Sequence, residues 1–206
     1  MSSKICKMIF RTAVASDLYK IVNIHIESFP NGIQTYMGDT YLRQKYYFLI
    51  MFSEVKLVCE INAEVVGFSF SSPKPDFKLK LSFKHYFQIT LSLIKNISIV
   101  SKLFYGRLQL SFTKNLANSN QFLLESNIEL GYIAVSKTKR SIGLGAKLIS
   151  EFERIAKSKL GYNKILTRTH NERLTNFYIE NKNALIQKRK SSSDSYTCTL
   201  LWKIKK

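Results

Sequence analysis

Acidic residues are scarce in this chain. Fourteen Asp and Glu stand against thirty-two Lys and Arg, for a net charge of +18. A small polyamine is therefore a poor partner, because a cation would have to approach a strongly positive molecule. Cysteine is equally sparse. Cys6, Cys59 and Cys198 show no metal-ligand spacing and cannot all pair, which excludes a disulfide framework and leaves buried free thiols as the expectation. No apolar run reaches the ~20 residues that span a bilayer. The opening MSSKICKMIF lacks the apolar core and small-residue cleavage site of a signal peptide, so the cytoplasm is the expected compartment. No internal repeat is visible, and no low-complexity tract beyond Ser191–Ser193.

Hydrophobic residues make up 45% of the chain and aromatics 13%, enough for it to fold rather than remain disordered. A length of 206 residues suits a single domain over 1–206 carrying an insertion. The positive charge is uneven. Residues 1–73 carry seven basic against six acidic side chains, 74–115 carry eight against one, and 137–206 carry seventeen against five. The last two regions should attract anions: a phosphorylated cofactor, a nucleotide-linked substrate, nucleic acid or an acidic membrane.

Periodicity predicts a first strand over 7–13 and a helix over 17–28 capped by Ser16, with Leu18, Ile21, Val22, His25 and Phe29 on one face. Phe29-Pro30-Asn31-Gly32 is a break. A second helix starts at Asp39, with Leu42, Tyr46, Leu49 and Ile50 inside. KLVCEI (56–61) and EVVGFSFS (64–71), joined by Asn62-Ala63, read as an antiparallel hairpin. After Ser72-Pro73-Lys74-Pro75 the character changes. Residues 76–120 read as a helical insertion in which Leu81, His85, Ile89 and Leu93 share a face; it could form a lid or touch an anionic membrane through 76–110. Then come a strand at 128–135, a loop at 136–142, a helix at 143–160 stopped by Gly161, a strand at 164–169, a short helix at 172–181, and strands near 185–190 and 195–204. This order predicts a mixed α/β (α+β) fold with a partly antiparallel sheet of about six to seven strands.

Arg140-Ser141-Ile142-Gly143-Leu144-Gly145 lies between a strand and a helix, where a chain can hold phosphate. A P-loop is excluded, since Gly145 is followed by Ala146-Lys147-Leu148 and no glycine stands five residues before it. A dinucleotide fingerprint is a poor fit, since Leu148 occupies its third glycine and the next strand ends in Arg168-Thr169-His170 without an acid for a ribose. The pattern R-x-x-G-x-G remains. Gly143 and Gly145 let backbone amides close on an oxygen cluster. Those amides are the unpaired donors of a helix N-terminus, and Arg140 adds a charged fork.

From Glu129 to Tyr178 the sequence resembles the GNAT family of acyl-CoA-dependent N-acyltransferases. Residues 128–160 look like that family's cofactor motif, with RSIGLG as the pyrophosphate loop. HNERLTNFY (170–178) resembles its next motif, and EINAEVVGF (60–68) its second and third strands. The family's usual Gly-Phe pair after the tyrosine is replaced here by Ile179-Glu180-Asn181-Lys182-Asn183. The resemblance implies the GNAT fold, with the helical insertion between strands 3 and 4, and acetyl-CoA as acyl-donor co-substrate. It also implies that the backbone of Ile133, Ala134 and Val135 pairs with the pantetheine arm. Arg140, Ser141, Ile142, Gly143, Leu144, Gly145 and Ala146 would hold the diphosphate. Asn171 would contact the cofactor arm or simply cap a helix. Tyr178 would be the general acid or a packed aromatic, with Phe177 facing the core. Glu129 would be the general base or a solvent-facing strand residue.

The expected activity is direct acetyl transfer in a ternary complex to a primary amine. The acceptor would be a small molecule, anionic in view of the field. HIESFPNGIQTYMGDTYLRQKYY (25–47) resembles the start of GNAT proteins associated with surface-sugar synthesis, which points to an amino sugar or sugar nucleotide. The competing reading is a basic module for nucleic acid or membrane with a vestigial CoA site. The aromatic-basic signatures of RNA binding are missing, so nucleic acid is not expected.

Overall fold

The computed structural model describes residues 7–74, 79, 82–95, 97, 127–192 and 195–205. Among the described residues the fold is mixed α/β, with seven strands in hydrogen-bonded order β1-β2-β3-β4-β5-β7-β6. The chain forms two compact units, Met1–Asn96 with Tyr132–Phe152 and Ile97–Gly131 with Glu153–Lys206.

In the first unit β1 (Met8–Thr12), β2 (Lys56–Ile61) and β3 (Glu64–Ser71) pair antiparallel in turn. The hairpin between β2 and β3 turns on Asn62 and Ala63, both with positive φ (53° and 64°), the twist that suits a two-residue connection. The end of β4 (Asn127–Val135) joins β3 through Ser136 N–H to Val66 O, 2.8 Å. Strand alternation sends side chains to two apolar faces. On one, Val58, Phe68, Phe70 and Ala134 pack with Ile21 and Val22 of α1 (Leu18–Ser28) and Leu42, Tyr46 and Leu49 of α3 (Asp39–Phe52). On the other, Cys59, Ile61, Val66 and Val135 pack with Leu144 and Leu148 of α5 (Leu144–Leu160). Gly67 is required between them, because a Cβ there would meet Leu148 Cδ1 at 3.0 Å and the Ala134 carbonyl at 3.1 Å.

Three local expectations are corrected. Ser16 does not cap α1. Residues Ala15–Asp17 form a 3-10 turn instead, and the Asp17 carboxylate accepts from Val14 N–H at 2.9 Å while pairing with Arg11. No side chain caps α1: the Asp17 carboxylate reaches back to the start of the 3-10 turn and holds the Arg11 guanidinium. A short helix α2 (Ile33–Tyr36) lies between the break at 29–32 and the helix from Asp39, where periodicity assigns no element. Residues 137–142 are a 3-10 segment rather than a plain loop.

Within the insertion, α4 (Phe83–Lys95) lies between β3 and β4 in sequence. Ile89 is buried, and His85 and Leu93 are half-buried. Leu81 and most of the remaining insertion lie outside the described residues, as does Cys6. Cys59 and Cys198 are buried free thiols, and burial pushes the Cys59 thiol up to about 11.

In the second unit the start of β4 pairs parallel with β5 (Lys164–Thr169), with Glu129 opposite Leu166. β5 pairs antiparallel with β7 (Ser195–Lys203), and β6 (Leu185–Ser192) pairs antiparallel with β7. Helix α6 (Glu172–Lys182) ends at Asn183, whose φ of 52° is left-handed. Asparagine is the usual substitute for glycine at that cap, so the missing Gly-Phe pair does not prevent the helix from ending. Glu153 binds this unit together, accepting from Trp202 Nε1 at 2.7 Å and from Lys182 Nζ at 2.8 Å.

Candidate active site

Strand β4 leads into the 3-10 segment Lys137–Ile142, and the chain then turns at Gly143 (φ 70°, ψ 15°) into α5. Such a φ is costly for any residue with a Cβ. The first intrahelical bond runs from Lys147 N–H to Gly143 O, 3.2 Å. The amides of Leu144, Gly145 and Ala146 are first-turn donors without an i−4 carbonyl. Leu144 is fully buried and anchors the turn. At Gly145 a Cβ would meet nothing within 4 Å. Packing therefore does not require glycine there, and the space beside the helix start is open. A bare helix start with an open face and a nearby guanidinium fits a diphosphate.

The guanidinium is Arg140. Its Nε donates to the Val135 carbonyl at 3.2 Å and its Nη2 to Ser28 Oγ at 2.9 Å. Ser28 Oγ donates to the same carbonyl at 3.3 Å. Thus Ile133, Ala134, Val135 and Arg140 through Ala146 are brought together at one strand-to-helix junction, with Arg140 held against the strand end and α1. Ser28 was not singled out in the sequence. A lone serine at the end of a helix carries no signal for this contact.

A second polar group lies inside the first unit, against Tyr132 of β4. Lys45 is buried, with Nζ 4.0 Å from the Tyr132 ring centre and 5.4 Å from that of Tyr46. It donates to Gln34 Oε1. Burial lowers its pKa to about 7. His25, placed by periodicity on the inner face of α1, is also buried, and its Nδ1 lies 2.7 Å from Tyr46 Oη. Its Nε2 is buried without a hydrogen-bond partner. Burial, and then the Lys45 charge, lower its pKa to about 4.

Glu129, Asn171 and Tyr178 belong to the second unit. Glu129 is not a solvent-facing strand residue. It is buried, and its Oε1 accepts from Arg168 Nε at 2.8 Å. Asn171 caps α6, with its side chain accepting from Leu174 N–H at 3.3 Å. Its amide nitrogen still carries two donors. Tyr178, rather than the half-buried Phe177, is the aromatic that faces the core. It stacks on Trp202, ring centres 5.2 Å apart at 23°, and Trp202 is itself held by Glu153. Burial pushes the Tyr178 phenol up to about 12, against a smaller lowering by its hydrogen bond with the Thr167 hydroxyl. Thr167 Oγ1 in turn donates to the Leu130 carbonyl at 2.9 Å. His170 is exposed, with Nδ1 near Thr197 Oγ1 and the Tyr196 carbonyl.

Residues 106–181 match the model of the acetyltransferase (GNAT) family. No curated protein matches the sequence. Among solved structures, the chain is similar to Ard1 from Thermoplasma volcanium, with 15% identity, a TM-score of 0.58, and coverage of 97% of this chain and 99% of that one. It is similar to the PaiA N-acetyltransferase from Thermoplasma acidophilum in complex with coenzyme A, with 13% identity, a TM-score of 0.59, and coverage of 96% and 99%. It is also similar to YncA from Salmonella typhimurium with its cofactor acetyl-CoA, with 13% identity, a TM-score of 0.56, and coverage of 97% and 95%.

Proposed function

From a chain with a GNAT acetyltransferase match over 106–181 and the fold of those enzymes, we propose an N-acetyltransferase that moves acetyl from acetyl-CoA directly to a primary amine. The observation that carries this reading is the open helix start at Leu144–Ala146, with Arg140 beside it. The coenzyme supplies an activated acetyl group and departs as a thiol. The amides of Gly143–Ala146 and the Arg140 guanidinium are suited to its diphosphate, with Ser141 and Ile142 in the same turn. The backbone of Ile133, Ala134 and Val135 is suited to its extended arm, and the Asn171 amide to a further hydrogen bond along it.

The proton chemistry falls to two side chains. Glu129, held by Arg168, is assigned to take the proton of the attacking amine. The phenol of Tyr178 stays protonated throughout the neutral range, so it acts as a proton donor to the departing thiolate and not as a base. The acceptor we favour is a small anionic amine, an amino sugar or sugar nucleotide, because the field of a +18 chain concentrates anions.

The test is calorimetric titration with acetyl-CoA, followed by thiol release over a panel of amino-sugar nucleotides, peptides and aminoglycosides. Acetyl-CoA should bind the native chain, and Gly145→Glu should abolish binding by placing a carboxylate where the diphosphate lies. Retained affinity in that variant would refute the assignment of the loop. Nucleic-acid binding that vanishes with salt, in a chain that ignores acetyl-CoA, would favour the basic-module reading instead.

A further inference from the structure

Helix α4 is amphipathic in an unusual sense: its apolar residues occupy both sides. One side packs inward. Ile89 is buried, and Ser92 sits so near α3 that a Cβ on Gly38 would meet its Oγ at 2.8 Å. The other side is turned away from the unit. Phe83 is 86% exposed, Phe87 59%, Tyr86 57% and Ile94 57%. At 100° per residue, Phe83, Phe87 and Ile94 fall within a narrow arc, with Tyr86 along one edge. A stripe of this length and aromatic content is not the scattered exposure expected of an ordinary surface.

Charge narrows the choice of what covers it. The helix sequence FKHYFQITLSLIK contains no Asp or Glu, and Lys95 stands in its last turn. Residues 74–115 hold eight basic side chains and one acidic. A second copy of this chain would bring two such basic segments together, opposed by like-charge repulsion. An anionic lipid surface meets both features at once: acyl chains take the aromatic and aliphatic residues, and headgroups take the lysines.

We propose that the outer face of α4 is a membrane-docking surface, laying Phe83, Phe87 and Ile94 into the interface of an anionic bilayer with Lys95 at headgroup level. No helix among the described residues is long and apolar enough to cross a membrane, so attachment is peripheral and reversible. The proposal does not depend on the acetyl-transfer reading.

The experiment is co-sedimentation of the full chain with vesicles of phosphatidylcholine and phosphatidylglycerol in equal parts, and with vesicles of phosphatidylcholine alone. Binding should favour the anionic vesicles and weaken with salt. Phe87→Ser with Ile94→Ser should reduce it at least about tenfold, since two large apolar contacts are lost. Both positions are exposed, so circular dichroism and the melting temperature should be unchanged, and this control separates docking from misfolding. Lys95→Gln should lower binding to the anionic vesicles selectively. No binding to anionic vesicles overturns the proposal. So does binding that the apolar substitutions leave intact, which would be charge adsorption alone. A dimer seen by sedimentation velocity and dissolved by the same two substitutions, without vesicle binding, would assign the face to self-association and overturn it as well.

Discussion

Lys45 Nζ rests 4.0 Å from the centre of the Tyr132 ring, inside a core, and donates to the amide oxygen of Gln34. Burial lowers its pKa from 10.5 to about 7. Between pH 7 and 10.5 the unfolded chain carries a proton here that the folded chain lacks, so this residue makes stability rise with pH across that window. Below about pH 7 it is charged in both states, and its full burial penalty applies. Lys45→Met should therefore stabilise the protein by roughly 2–4 kcal/mol near neutrality, and the gain should shrink toward zero as pH approaches 10.5. Denaturant unfolding of both proteins at several pH values checks this. A gain that does not vary with pH would mean that packing, not charge, is what changed.

The β2–β3 turn yields a simpler prediction. Ala63 sits at φ 64° directly after Asn62 at φ 53°, where Asn-Gly is the preferred pair. Ala63→Gly removes the Cβ strain but adds freedom to the unfolded chain. The strain is the larger effect, and a net stabilisation of about 0.5 kcal/mol is expected, with no effect on acetyl-CoA binding. Thermal unfolding measures the first and titration the second.

Much of this architecture was legible because its elements are periodic. Leu42, Tyr46, Leu49 and Ile50 repeat at helical spacing, and all four are buried. The turn into α5 was legible because its left-handed φ of 70° at Gly143 demands a residue without a Cβ. Helix α2 was not, since four residues carry no period. Lys45 was hidden by its chemistry: it stands three residues after Leu42 and four before Leu49, a core position, but a lysine there reads as surface. The pairing of Glu129 with Arg168 depends on the parallel register that sets Glu129 opposite Leu166, which places Arg168 two residues along on the same face. No local pattern encodes a register.

Tyr178 offers a clean separation of packing from chemistry. Its ring stacks on Trp202, and only its hydroxyl reaches Thr167. Tyr178→Phe keeps the stack and loses one buried hydrogen bond, a destabilisation of about 1 kcal/mol. If the phenol protonates the leaving thiolate, kcat should fall by about two to three orders of magnitude while the acetyl-CoA affinity changes little. Because burial holds the native phenol near 12, its ionisation should leave no inflection in the rate profile between pH 6 and 9. Unchanged turnover in the variant would make Tyr178 a core aromatic and nothing more.

Glu129 tests the other half of the proton chemistry. Its carboxylate is buried and bonded to Arg168 at 2.8 Å, so a structural role competes with a catalytic one, and a single variant would not separate them. Glu129→Gln keeps size and an acceptor oxygen for Arg168 but cannot take a proton at neutral pH. Arg168→Gln leaves the carboxylate in place and removes its cation, a change expected to destabilise the unit by about 1–3 kcal/mol. If Glu129 is the base, Glu129→Gln should lower kcat by about two orders of magnitude. Its residual rate should climb with pH toward the acceptor amine's own pKa, where the amine sheds its proton unaided. Arg168→Gln should then retain more activity per folded molecule than Glu129→Gln despite being the less stable of the two. If instead the pair is only structural, both variants should lose stability together, and neither should change the shape of the pH profile. Rate profiles and melting temperatures measured on the same preparations decide between the two outcomes.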